Sequence, residues 1–252
     1  GFIFMILLSS TAYSQPLRVV TEIKPPLQMV TNDNVVTGAM VEVVEAMLKH
    51  ANIDTSIEVY PWARSYQMAL THSNTLIFSM FRNKSRENNF QWIGKLLTIN
   101  SYLVSLKSTK NMSITSLDDA KKYSVGTIRD DLSQHYLCEN GFVQDKNLYL
   151  NSDHKVLWHM LSSGRTDLVF ANDLLWQHEM KYAGLDPSTV QFVYQLPNFA
   201  TDLYVAASLD VEQSVITQLK NALNAMKASG EYHKILSKWQ LNLKHNSQEF
   251  KQ

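Results

Sequence analysis

The chain has 252 residues, 45% of them apolar and 18% charged, and its formal charges cancel at pH 7. This length allows one large domain or two lobes with substantial cores, and the charge balance excludes a broadly basic nucleic-acid footprint. Glycine and proline are sparse, and no segment has the composition of a disordered chain.

In chain order, GFIFMILLSSTAYSQP comes first. A short apolar run gives way to small and polar residues, with Ala12 and Ser14 at the −3 and −1 positions of an A-x-A-like cleavage site. The pattern predicts a secretory signal peptide over residues 1–14 that lacks its charged start and is cleaved before Gln15. The run is far short of the roughly 20 residues that cross a bilayer. No cysteine follows the site to take a lipid. The expected mature protein is exported, soluble and periplasmic.

Short apolar runs bounded by polar residues predict strands at 17–23, 56–62, 75–81, 101–107, 123–128, 167–172, 190–196 and 202–208. Between them lie helical stripes. Val41, Val44, Met47 and Leu48 form one; Val215, Leu219, Ala222, Leu223 and Met226 another; Tyr232, Ile235, Leu236 and Trp239 a last one. Alternating strands and helices predict an α/β fold, with mostly parallel sheets covered on both faces.

The sequence contains no HExxH, GxSxG, CxxC, P-loop or GxGxxG pattern. His154 and His159 are spaced off a single helical face, so the histidines read as scattered surface groups and neither metal nor cofactor is expected. Asp118–Asp119 and Asp130–Asp131 fall at predicted helix starts, where carboxylates cap free N–H groups. Cys138, the one cysteine, reads as a core or half-buried thiol. The unusual stretch is FRNKSRENNFQWIG. It sets Arg82, Lys84 and Arg86 at the mouth of the apolar run TLIFSM, with Phe90 and Trp92 directly after.

TEIKPPLQ, GAMVEVVEAM, YPWARSYQMAL, the arginine–aromatic stretch, VGTIRDDLSQHYL, SSGRTDLVFAND and NALNAMKASGEYHKILSKW follow one another in a familiar order. In that order and spacing the chain resembles the extracytoplasmic solute-binding proteins of the amino-acid-binding family, the type II periplasmic binding proteins of ABC transporters. The resemblance covers nearly all of the mature chain. It implies a two-lobed α/β fold: two mixed sheets flanked by helices, two crossover strands and a ligand cleft between the lobes. On that plan lobe one is 15–106 plus 197–252 and lobe two is 107–196, with crossings at SLKST and QLPNF. The implied function is capture of a small carboxylate-bearing ligand (amino acid, derivative or organic acid) and delivery to an inner-membrane ABC permease. The protein would be a monomeric binder, not an enzyme, with no nucleic-acid partner. The same fold serves as the sensor domain of membrane receptors and as a dehydratase acting on cyclohexadienyl carboxylates, so the alternatives are such a dehydratase or a soluble sensory ligand-binding protein. The dehydratase would need a buried acid beside the gripping arginine, and Glu22 is the candidate; otherwise Glu22 is a hydrogen-bond acceptor in the cleft.

The resemblance also assigns roles. Arg86, six residues before Trp92, matches the family's arginine that grips the ligand carboxylate, a task its planar fork performs bidentately. Ser79 either donates to the ligand or caps its strand. Arg82 joins the anion site or pairs on the surface, and Lys84 is solvated. Phe90 and Trp92 read as lobe core. Trp62 lines the cleft or packs in the core; Arg64 reaches the cleft or stays on the surface. Thr127, Ile128 and Arg129 lie where a strand enters a helix whose N–H groups suit an anion. Two positions depart from the family. Asn172 stands where an aspartate usually holds the ligand amine, and Lys24 stands where an aromatic often precedes the prolines. Lys24, Arg64, Arg86 and Arg129 together predict a cationic cleft for a small anion, such as a carboxylate, a dicarboxylate or an acidic amino-acid derivative.

Overall fold

The computed structural model describes residues 16–241; the expected signal segment and its cleavage site lie outside them. The strands are β1 (Arg18–Thr21), β2 (Met29–Val30), β3 (Val36–Thr37), β4 (Ile57–Val59), β5 (Thr75–Phe81), β6 (Gln91–Thr98), β7 (Ser101–Leu106), β8 (Val125–Ile128), β9 (Leu148–Asn151), β10 (Leu168–Asn172), β11 (Val190–Gln195) and β12 (Asp202–Ala207). The helices are α1 (Ala39–His50), α2 (Trp62–Thr71), α3 (Leu117–Ala120), α4 (Leu132–Glu139), α5 (His154–Ser162), α6 (Trp176–Tyr182), α7 (Gln213–Ser229) and α8 (Glu231–Lys238).

Two sheets carry the chain, ordered β4-β1-β5-β12-β6 and β11-β7-β10-β8-β9. In the first, β4, β1 and β5 run parallel, and β12 is antiparallel to both β5 and β6. In the second, β10, β8 and β9 run parallel, and β7 is antiparallel to β10 and β11. Both sheets are therefore mixed α/β sheets flanked by helices. The parallel strands are the ones joined through helices, as a parallel return requires.

All eight predicted strands are present, and β2, β3, β6 and β9 are additional. The β6 sequence QWIGKLLT mixes buried and exposed positions around Lys95 and Gly94, which hides it from a search for apolar runs. Gly94 is there because α7 lies across it: a Cβ at that position would stand 2.5 Å from Leu223 Cδ2. The predicted strand 56–62 stops at Val59, and Trp62 opens α2 behind Pro61. Proline's fixed φ and missing N–H suit that helix start.

The first crossing lies earlier than expected. Ser101–Leu106 pairs with β10 and β11, so the segment assigned above to lobe one belongs to the second sheet. The chain passes between sheets at Ile99–Asn100 and returns through 196–201, close to the expected QLPNF. An apolar run has the same appearance in either sheet, so only pairing decides which sheet takes it.

Two local corrections follow. Cys138 is exposed, because α4 turns Leu132, Ser133 and Leu137 inward and presents the next position to solvent. Asp131 occupies the α4 cap position but caps no N–H; its carboxylate accepts from Ser133 Oγ at 2.7 Å. At α3 the cap is Ser116, and Asp119 braces the turn before it instead of capping a helix N–H. Its N–H donates to Ser116 Oγ, and its carboxylate accepts from the Thr115 N–H.

Candidate functional site: a cleft between two sheets

The carboxyl ends of the parallel strands converge. β1 runs into Glu22 and Lys24, β5 into the Arg86 loop, β8 into Asp130–Asp131, β9 into His154 and β10 into Asn172. This end of an α/β sheet is where ligands bind, because side chains and helix starts gather there without backbone partners. Among the described residues three hydrogen bonds join the halves. Trp62 Nε1 donates to Asp130 O at 3.0 Å, Tyr182 Oη donates to Val30 O at 3.1 Å, and Lys24 Nζ approaches His154 Nε2 at 3.3 Å.

One pole of the cleft carries donors. Arg86 is only 2% exposed. Its Nη1 donates to Phe81 O at 3.0 Å, and its guanidinium lies 4.8 Å from the Tyr66 ring centroid and 5.5 Å from that of Trp62. Its Nη2 is buried without a partner. Ser79 adopts a left-handed φ of 59° where the β5–β12 register slips, and its Oγ donates to Gln28 Oε1 at 3.0 Å. Gln28 Nε2 is also buried and unpaired. A buried donor left unmade costs about 1–3 kcal/mol. Both groups are therefore poised for an acceptor such as a carboxylate.

The other pole carries acids. Glu22, Lys24, His154 and Glu179 are all buried. Lys24 Nζ lies 3.4 Å from Glu22 Oε1. Glu179 Oε2 accepts from Trp158 Nε1 at 2.9 Å, and its Oε1 faces His154 Nδ1 at 3.4 Å. Burial pushes Glu22 up to about 7 against the pull of Lys24. Burial likewise raises Glu179, against Lys24 and the Trp158 bond. Burial alone would lower Lys24, but Glu22, Asp131 and Glu179 together outweigh it and hold the ammonium above the usual lysine range. Burial, then Lys24, keep His154 well below the imidazole range. The ring is neutral, so its close approaches to the two carboxylates are polar contacts rather than ion pairs. A neutral ring facing an ammonium through Nε2 accepts there, which puts its proton on Nδ1, toward Glu179.

The remaining candidates scatter. Arg82 is not in the cleft: it forms a fork with Glu87, at 2.8 and 2.5 Å, and lies 5.1 Å from both the Trp92 and Tyr204 rings. Arg64 is exposed, 4.1 Å over Tyr60. The Arg129 side chain is exposed, and only its N–H is engaged, by Asn151 O at 2.9 Å. Arg64 and Arg129 are thus exposed and are not gathered with the buried Lys24 and Arg86 as the expected cationic cleft had them. Lys24 and Arg86 are its buried cations among the described residues, and three acids surround the first. Thr127 Oγ1 is committed to Ser133 Oγ at 2.6 Å, and Ile128 is buried. Asn172 Nδ2 donates to Ser101 Oγ at 2.9 Å, while Asp173 holds Asn100 through its N–H and its Nδ2. Phe90 packs behind Tyr66, with ring centroids 5.8 Å apart.

Sequence reasoning missed Gln28, His154 and Glu179. His154 was placed on the surface, yet it opens α5 just after the Asp153 cap and points inward. Four of the six buried unpaired side-chain atoms among the described residues belong to Gln28, Arg86, His154 and Glu179. The cleft thus concentrates unmet polar capacity. A cavity of about 330 Å³ opens beside His154 and Glu179, bounded by Pro25, Asn32 and Tyr182. A second, of about 540 Å³, lies between Lys84, Leu132, Tyr136 and Phe199. Among the described residues no group of three or more His, Cys, Asp or Glu side chains is arranged to hold a metal.

Two mixed sheets joined by two crossings, with polar groups gathered between their carboxyl ends, define a two-lobed ligand-binding class. The chain belongs to the bacterial extracellular solute-binding proteins, family 3, whose model matches residues 17–242. It is 24% identical over 231 residues to an arginine-binding periplasmic protein of Mannheimia haemolytica, covering 91% of this chain and 92% of that one. Among solved structures it is similar to a histidine kinase sensor domain resembling periplasmic binding proteins (TM-score 0.78, 16% identity, 88% of this chain and 95% of that one). It is also similar to an ancestral arginine-binding protein bound to arginine (TM-score 0.76, 20% identity, 89% and 97%). At these identities the structures speak for the fold.

Proposed function

We propose that this protein captures a small, carboxylate-bearing, amino-acid-like solute between its two lobes outside the cytoplasm and hands it, as a monomer, to an inner-membrane ABC permease. The observation that carries the reading is Arg86: a buried guanidinium, braced by Phe81 O and two aromatic rings, with one N–H edge unpaired. Gln28 Nε2, set by Ser79, supplies a second donor. Family membership and the periplasmic relative support export and a binding role.

The test is a thermal-shift screen of amino acids and small organic acids, confirmed by calorimetry. A ligand at roughly 100 times its dissociation constant stabilises the fold by about 2.7 kcal/mol. For two lobes melting together that raises the midpoint by roughly 5 to 10 °C. Arg86→Ala is expected to weaken binding by about 2 to 5 kcal/mol. It also lowers the ligand-free midpoint, since Phe81 O loses its donor, so affinities are compared by calorimetry on folded protein. Arg86→Lys restores binding only partly, because an ammonium lacks the fork; Lys84→Ala binds normally. Full affinity in Arg86→Ala would show that the arginine is structural.

A further inference from the structure

The acidic pole raises a question that the clamp does not answer. Two buried carboxylates, Glu22 and Glu179, together with nearby Asp131, are what a ligand's ammonium or guanidinium would seek. Yet the place beside them is taken by the chain itself. Lys24 Nζ stands 3.4 Å from Glu22 Oε1 and 3.3 Å from His154 Nε2, and the residue is 3% exposed. The turn carrying it is firmly held. Lys24 and Gln28 exchange backbone hydrogen bonds at 2.8 and 3.1 Å, and Pro26 O and Leu27 O receive the first N–H groups of α1. Gln28 links the same turn to Ser79 at the donor pole. Both poles are thus positioned by one short segment.

We propose that Lys24 is a tethered counter-cation: it fills the acidic pole of the cleft and restricts the site to solutes without a cationic side chain. The inference rests on Arg86 as the carboxylate clamp and narrows the solute class which that clamp serves. The physical reason is local charge balance. The three acids hold the Lys24 ammonium in its charged form, and burial already pushes Glu22 toward protonation. A second cation entering the pole would meet the Lys24 charge at close range, without water to screen it. A neutral or acidic solute meets no such penalty.

Removing the tether should create an acceptor for free cations. The probe is n-butylammonium, which reproduces the deleted lysine side chain and carries no carboxylate. Its addition is expected to raise the melting midpoint of Lys24→Ala in a dose-dependent way and to leave the wild type unmoved. The double variant Lys24→Ala/Arg86→Ala should keep that response, which separates this inference from the clamp. By calorimetry, L-arginine and L-lysine should bind Lys24→Ala at least roughly tenfold more tightly than wild type, while L-glutamine does not improve. If Lys24→Ala does not fold, Lys24→Met retains the side-chain volume without the charge, and the same arginine-to-glutamine selectivity decides. Wild-type protein that binds L-arginine or L-lysine at least as tightly as L-glutamine overturns the proposal. So does a butylammonium response that is equal, or absent, in both proteins, or unchanged selectivity in both lysine variants.

Discussion

Glu22 and His154 sit within a few ångströms of the same ammonium and titrate in opposite senses. Glu22 has a folded value of about 7 against a usual 4.5. The unfolded chain gives up this proton first, so the stability it contributes below 4.5 is lost as pH rises to 7. The difference corresponds to roughly 3 kcal/mol between its protonation states. His154 lies well below its usual 6.5. Here the unfolded chain binds the proton first, so stability falls as pH drops through 6.5. Between about pH 5 and 6.5 the two slopes oppose each other. Glu179 is raised in the same sense as Glu22, so Glu22→Gln should lessen the component of stability that falls with pH across this window, and His154→Gln should leave a stability that falls throughout it. Urea denaturation at several pH values reads both; parallel profiles for the two variants would show that these groups do not set the pH response.

At the scale of elements, two glycines fix how helices meet the sheets. Gly38 precedes α1 at φ 135°, and a Cβ there would stand 2.4 Å from Leu27 O. That carbonyl accepts the Met40 N–H at 2.8 Å, so it cannot retreat without uncapping the helix. Gly38→Ala should cost about 2–4 kcal/mol and displace the turn carrying Lys24 and Gln28, weakening solute binding as well. Gly94 differs, because the obstructing atom is the end of the Leu223 side chain. Gly94→Ala should cost about 1–3 kcal/mol by overpacking. Adding Leu223→Ala should recover part of that loss, a coupling readable in a double-mutant cycle. The strands were legible wherever a run was mostly apolar, as in TLIFSMF, where every residue is buried. β6 escaped because its burial comes partly from α7, a helix more than a hundred residues away in the chain.

Across the whole molecule, the two halves are held by the Trp62–Asp130, Tyr182–Val30 and Lys24–His154 contacts. Hinge closure between two lobes joined by short crossings is a recurrent response to ligand. Tyr182→Phe with Lys24→Met removes two of the three contacts. In small-angle scattering, the ligand-free double variant should show a radius of gyration above the roughly 17 Å of a compact chain of this described length. Identical radii would mean that apolar contact, not these bonds, holds the halves together.

What the sequence by itself determined was local: apolar runs and helical stripes, which suffice for the α/β class, and an arginine set between a buried strand and aromatics, which marks Arg86 as a candidate. Charge assignment was beyond it. Arg82, Arg64, Arg86 and Lys24 look alike as letters, yet one pairs with Glu87, one stacks on Tyr60 in solvent, and two are buried. His154 and Glu179 lie on different helices of the second half, and Glu22 and Lys24 on the first. Their meeting depends on how the sheets face each other. Only the tertiary structure brings those four groups together out of water, and the loss of solvation there turns ordinary side chains into a charge-balanced pole.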